Sequence, residues 1–224
     1  MFKAVIFDKD GTLITIDKLW SKVYREATKK FFQQNKIGVD IEEAMISIGI
    51  NGDNIENGSV SSIGSIQEVL RTVLNSPLNA EKLSEEALIN EYEALITQKV
   101  KENQQYIELI HEDVPSILKK LRDKKVKIGL ITTDSRDNTV FMLEYLGIEN
   151  YFDYIGCGDD EHLKAKPSRD HGRFFMNFAN LEPSHVLMVG DSRYDELFAE
   201  KLGFDFIKIN HRRDVQRLHS ILKI

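Results

Sequence analysis

Lys3-Ala4-Val5-Ile6-Phe7 runs without a break into Asp8-Lys9-Asp10-Gly11-Thr12. β-Branched and aromatic residues fill the first half and a glycine-loosened turn closes it, the pattern of a short buried strand. Two carboxylates, two positions apart, therefore sit at the carboxyl end of a strand, the edge where open α/β sheets bind ligands. Strand side chains alternate in direction, so Asp8 and Asp10 can face one pocket. Read alone, the pentapeptide can also be an Asp-Gly turn between two strands. An EF-hand loop fails on position: counting from Asp8, the glycine place holds Leu13 and the bidentate acid place holds Leu19.

Working outward, the second half of the chain repeats the strand-then-polar-turn pattern. Lys127-Ile128-Gly129-Leu130-Ile131 ends at Thr132-Thr133-Asp134-Ser135, and Val186-Leu187-Met188-Val189 ends at Gly190-Asp191-Ser192. A weaker strand is predicted at Phe152–Ile155 and a further strand at Phe206–Ile209. Helices alternate with them: one capped by Asp113 with Pro115 in its first turn, one over Asp137–Leu146 stopped by Gly147, then Arg169–Asn180, Tyr194–Leu202 and a basic closing helix. Such alternation predicts right-handed crossovers and an α/β fold, a doubly wound, Rossmann-like parallel sheet with helices on both faces. Between Lys18 and Gln105 no strand pattern stands out. Helical spacing covers Asp17–Gln34 (capped by Asp17, closed by Gly38), Asp40–Ile48, Ile66 to a stop at Pro77, and Ala80–Asn103. Residues Gly49–Gly64 are rich in glycine and asparagine and predict a loop or hairpin, a candidate substrate-facing element. Residues 1–14 and 111–224 thus form the core domain, and 15–110 an inserted helical domain.

Composition narrows the function. An apolar fraction of 42% with 29% charged residues is that of an ordinary soluble globule. A net charge of −6 without a basic block argues against nucleic-acid binding. A single cysteine, Cys157, excludes an intramolecular disulfide framework and an all-cysteine zinc site. No apolar stretch approaches the roughly 18 residues of a membrane helix, and the N-terminus runs straight into the first strand, leaving no room for a signal peptide. A cytoplasmic protein without nucleic-acid or membrane partners is the expectation. No pattern fixes an oligomeric state.

Three polar clusters gather at one sheet edge: Asp8/Asp10, Thr132/Thr133 and Asp191/Asp195, with Lys164-Ala165-Lys166-Pro167 entering a helix nearby. Each has a plain reading as a cap, a turn or a solvated side chain. Together they do not, because four converging carboxylates repel: a pair ~4 Å apart costs about 4 kcal/mol at an effective dielectric near 20. A hard divalent cation removes that penalty, and magnesium suits a sparse carboxylate site. The cation attracts an anion, and Lys166 and a threonine hydroxyl can hold phosphate oxygens. Phosphoryl transfer to a carboxylate is the implied chemistry.

The set Asp8-Lys9-Asp10-Gly11-Thr12, Thr132, Lys166-Pro167 and Gly190-Asp191-Ser192-Arg193-Tyr194-Asp195 resembles the haloacid dehalogenase superfamily of phosphohydrolases, in its phosphoglycolate-phosphatase-like branch. The helical insertion is similar to what that family calls a C1 cap, which would close over the site and exclude water. The resemblance implies that Asp8 attacks phosphorus and that Asp10 protonates the leaving oxygen, then deprotonates water. It implies magnesium held by the Asp8 carboxylate, the Asp10 carbonyl and Asp191, with Asp195 standing behind those ligands. Thr132 and Lys166 would hold the phosphoryl oxygens, helped by the backbone of Lys9 and its neighbours. Thr133 stands where the family has asparagine, so a contact of that amide is altered here. Lys166 is chosen over Lys164 because proline follows it. Asp10 favours a phosphatase of a small-molecule phosphate ester over a dehalogenase. The alternatives are a phosphomutase of the same fold and, from another class, a non-catalytic binding module.

Overall fold

In the computed structural model, which describes residues 2–74 and 85–222, the apolar run becomes β1 (Ala4–Phe7), every residue of it buried. Residues up to Thr15 form one unit with those from Ile107 onward, and Ile16–Tyr106 forms another. In the inserted unit, α1 (Asp17–Asn35) buries Leu19, Val23, Ala27 and Phe31, its predicted apolar stripe. Its N-cap is Ile16, one residue before the predicted Asp17, which lies in the first turn where its charge complements the helix dipole. The helix closes on Lys36 in the left-handed conformation, two residues before Gly38. Asp40 does cap α2 (Ile41–Ser47), accepting from the N–H groups of Glu42 and Glu43.

The glycine-rich stretch that follows holds two strands, β2 (Ile50–Asn51) and β3 (Asn54–Ile55), in an antiparallel hairpin. Of the loop or hairpin expected at Gly49–Gly64 the structure has the hairpin, and only the absence of a strand pattern between Lys18 and Gln105 is corrected there. Two-residue strands are too short to show a period, and only the turn betrays them: Gly52 sits at φ 61 in the two-residue loop. α3 (Val60–Ile63), α4 (Ile66–Leu74) and α5 (Glu85–Glu102) complete the unit. The predicted stop at Pro77 and helix start at Ala80 lie outside the described residues. α1 and α5 run antiparallel, with Asn35 bonded to Glu91 at one end and Asn103 to Glu26 at the other.

The other unit continues through α6 (Val114–Asp123), β4 (Lys127–Ile131), α7 (Arg136–Tyr145), β5 (Tyr154–Gly156) and α8 (Asp170–Ala179). It ends with β6 (Val186–Gly190), α9 (Arg193–Leu202), β7 (Asp205–Lys208) and α10 (Arg212–Ile221). Pro115 lies in the first turn of α6, but Asp113 makes no side-chain cap bond because its own backbone is already helical. β5 starts later than predicted, since Phe152 closes a preceding turn of 3-10 helix. The strands form one parallel sheet in the order β5-β4-β1-β6-β7. β1 lies at the centre of the sheet with both faces buried, which is why its sequence is an unbroken apolar run rather than an alternating one.

From β1 the chain builds outward through β4 to β5 on one side, then crosses to β6 and β7 on the other. The order therefore reverses at β1, and the crevice beyond its carboxyl end is the switch point of the sheet. Ile6 packs with Phe175 of α8 and Phe198 of α9 on one face. Val5 lies with Leu121 of α6 and Leu222, just beyond α10, on the other. The chain leaves and re-enters this unit through adjacent segments, bridged at Ile14 and Leu109 and bonded from Thr15 to Glu108. Among the described residues no helix is long and apolar enough to cross a membrane.

Candidate active site

Asp8 follows β1 directly and prolongs its pairing with β6, its N–H donating to the carbonyl of Val189 at 2.9 Å. The chain then turns tightly, with the Lys9 carbonyl accepting from the N–H groups of Leu13 and Ile14. Gly11 makes the turn at φ 78, and a Cβ there would lie 2.4 Å from Oδ2 of Asp191. The missing side chain lets the Asp191 carboxylate pack against the turn, where Thr12 Oγ1 donates to it at 3.2 Å. Asp191 follows β6, and α9 starts two residues later.

The start of α9 does two things at once. Ser192 is its N-cap and forms a capping box with Asp195. The Asp195 carboxylate accepts from the Ser192 N–H at 3.0 Å and from its hydroxyl at 2.6 Å through Oδ2. Its other oxygen, Oδ1, accepts from Lys166 Nζ at 2.5 Å. The same ammonium donates to Asp8 Oδ1 at 2.5 Å. Lys166 and Asp195 are both buried, whereas Lys164 is exposed. Gly190 makes room for this arrangement, since a Cβ there would sit 2.4 Å from the Asp195 carboxyl carbon.

Sequence reasoning missed a second lysine-centred group. Lys9 is fully buried, and its Nζ lies 2.7 Å from Asp10 Oδ2, 2.9 Å from Asp134 Oδ2 and 3.3 Å from the Met142 sulfur. Its ammonium thus faces protein carboxylates, and only its backbone fits the predicted role of phosphate donor. Asp134 is fixed in turn: Oδ1 accepts from the Ser135 N–H at 2.7 Å and from Asn138 Nδ2 at 3.1 Å. Its N–H donates to Thr132 Oγ1 at 3.1 Å, which leaves the Thr132 hydroxyl proton free to point elsewhere. Thr133 is half-buried, and its carbonyl packs so closely on Gly158 that a Cβ there would lie 2.1 Å away. A lysine flanked by two acids at a strand end was the available signal for this group.

Burial and mutual repulsion set the electrostatics. Asp8, Asp191 and Asp195 each offer a carboxylate oxygen, and the three atoms lie within 4.8 Å of one another. Burial raises the pKa of Asp8 well above the carboxylate range, and Asp195 and Asp191 add to it against the pull of Lys166. Burial and then Asp195 push Asp191 up to about 7, opposed by Lys166 and Thr12. Burial would lower the pKa of Lys9 and of Lys166, but the carboxylates beside each hold it up. Three carboxylates against one ammonium leave an excess of two negative charges when all are ionised (−3 + 1). An all-oxygen donor set with that excess fits a hard divalent cation. Cys157, by contrast, is buried with its thiol pushed up to about 12 mainly by burial, an inert packing group. The acidic Asp160 beside it is closed by the Arg136 guanidinium at 2.7 Å.

A family model described as "Hydrolase: haloacid dehalogenase-like hydrolase" matches residues 2–203. Pyrophosphatase PpaX of Listeria welshimeri is 24% identical over 192 residues, 86% of this chain and 76% of the relative. Pyrophosphatase PpaX of Bacillus velezensis is 30% identical over 131 residues, 57% of this chain and 56% of the relative. Among solved structures, CbbY from Rhodobacter sphaeroides in complex with phosphate superposes with a TM-score of 0.69 at 20% identity, covering 93% of this chain and 86% of that one. A HAD-superfamily hydrolase, subfamily IA, from Geobacter sulfurreducens gives 0.62 at 21% identity, covering 97% and 96%. These last two likenesses show the fold.

Proposed function

The chain belongs to the haloacid dehalogenase-like hydrolase family, and from that premise we propose that it is a magnesium-dependent phosphatase of small phosphorylated metabolites. The observation that carries this reading is Asp8, a buried carboxylate at the switch point of the sheet, held by one lysine and crowded by two further acids.

Asp8 is the nucleophile, and its free oxygen attacks phosphorus to give an aspartyl phosphate while the ester oxygen departs. The Lys166 ammonium, already on Asp8, and the Thr132 hydroxyl offer donors to the phosphoryl oxygens as their charge grows. Asp10 gives its proton to the leaving oxygen, then takes one from the water that hydrolyses the intermediate. Asp195 keeps Lys166 aimed at Asp8. The Asp8 and Asp191 carboxylates and the Asp10 carbonyl would hold the magnesium ion, with Asp195 behind them. When bound, that ion supplies positive charge that neutralises the carboxylates and the incoming phosphate.

Because relatives carry the name pyrophosphatase PpaX, inorganic pyrophosphate belongs in the substrate panel beside phosphoglycolate, sugar phosphates and an aryl phosphate. Phosphate release is measured for the wild type and Asp8→Asn, with magnesium and with chelator. Turnover requires magnesium and falls at least about a thousandfold in Asp8→Asn, the scale of losing a nucleophile. Chelator-resistant turnover, or an Asp8→Asn enzyme as active as the wild type, would sink the mechanism. A phosphoryl group handed back to the substrate instead of to water would identify a phosphomutase.

A further inference from the structure

Each acid of the Asp8-Lys9-Asp10 turn has its own ammonium, and each ammonium is held from behind by a further acid, Asp134 in the loop after β4 or Asp195 in the first turn of α9. Lys166 joins Asp8 to Asp195. Lys9 joins Asp10 to Asp134. The first group is absorbed by the phosphoryl chemistry, whereas of the second only Asp10 enters it.

A buried ammonium carries a desolvation cost that an apolar side chain at the same place would not, so the charge gains little stability for the fold. What it fixes is direction. Lys9 has zero exposure, its sulfur and carboxylate neighbours close around Nζ, and Asp134 cannot swing because the first turn of α7 holds it through Ser135 and Asn138. Asp10 is the partly exposed member, its side chain 18% accessible, and it points where Nζ meets its Oδ2. The backbone N–H of Asp134 also donates to Thr132 Oγ1, so this residue holds Lys9 with its carboxylate and Thr132 with its backbone.

We propose that the buried Lys9–Asp134 pair is the positioning device for the Asp10 carboxylate, setting the direction in which it meets the leaving oxygen. This rests on the reading of Asp10 as the proton carrier. Neither the Lys9 ammonium nor the Asp134 carboxylate touches the substrate in this scheme, and both variants keep the Lys9 backbone. Their loss shows where the leaving group needs a proton and not where it departs unaided.

The test compares kcat/KM, which reports the steps through phosphoryl transfer to Asp8, for an alkyl phosphate and for 4-nitrophenyl phosphate. The variants are Lys9→Met and the double variant Lys9→Met/Asp134→Asn, which avoids leaving a buried carboxylate without its cation if the single one fails to fold. General acid catalysis is worth roughly 10²–10⁴-fold where it is needed, so the alkyl ester loses about tenfold or more while the nitrophenyl ester loses less than about threefold. The thermal midpoint of the double variant stays close to that of the wild type. Any pattern in which the alkyl ester is not the more affected, equal losses and no losses included, overturns the proposal. Asp8→Asn separates the two levels: if it is inactive while the Lys9 variants are normal, only the positioning role fails, and if it is active, the phosphatase reading fails first.

Discussion

Gly11 shows what one absent methyl group does for the site. Its φ of 78 is a conformation that costs an ordinary residue roughly 1–2 kcal/mol. A Cβ would also fall 2.4 Å from an oxygen of Asp191. In Gly11→Ala the turn and the carboxylate cannot both stay in place, so Asp191 is pushed away from Asp8. The expected outcome is a protein about 1–2 kcal/mol less stable in urea, with phosphate release that needs a higher magnesium concentration to reach half its maximum. An unchanged magnesium dependence would mean that Asp191 is not held by the turn. Lys166 makes the complementary point. Pro167 marked it in the sequence, but only burial and two carboxylate contacts separate it from exposed Lys164, two residues away.

At the scale of the element, ends carry more information than middles. The start of α9 serves the helix and the site with the same atoms, because the Asp195 carboxylate has one oxygen for the cap and another for Lys166. A capping role for Ser192 and Asp195 and a place in the site therefore do not exclude each other. In the inserted unit the pair α1 and α5 depends on a buried polar contact, Tyr92 Oη to Thr28 Oγ1 at 2.8 Å, beside the edge-on packing of Tyr92 against Phe31. Burial raises the pKa of Tyr92, so the phenol stays protonated and able to donate. Tyr92→Phe leaves a buried threonine oxygen without its partner and costs about 1–3 kcal/mol in urea denaturation. Thr28→Val added to it recovers most of that loss, since no unpaired group remains. If the double variant is no more stable than Tyr92→Phe alone, the hydroxyl pair is not what joins these helices.

For the whole molecule, the proposed cation would be linked to the fold. Anything that binds the native state and not the unfolded chain stabilises it, by about 2.7 kcal/mol at a hundred times its dissociation constant. Magnesium should therefore raise the thermal midpoint of the wild type by several degrees. Asp191→Asn removes one of three crowded carboxylates, so its midpoint in chelator equals or exceeds that of the wild type, and magnesium adds nothing to it. A variant less stable than the wild type in chelator would show that Asp191 helps the fold without a cation. The parallel sheet was legible in the sequence, because a strand buried on both faces writes an unbroken apolar run and a crossover helix writes a 3.6-residue stripe. The polar strand ends were legible for the same reason, since each stood where such a run stopped. The β2–β3 hairpin was not fixed by pattern, being shorter than any period. The chain by itself thus determined which strands build the parallel sheet and which acids stand near their ends. Only the tertiary structure decided the sheet order that brings those ends together, and the partner each charge takes. Lys9 turns toward Asp10 and Asp134, and Lys166 toward Asp8 and Asp195, because a buried ammonium must find carboxylates, and those lie up to 158 residues away along the chain.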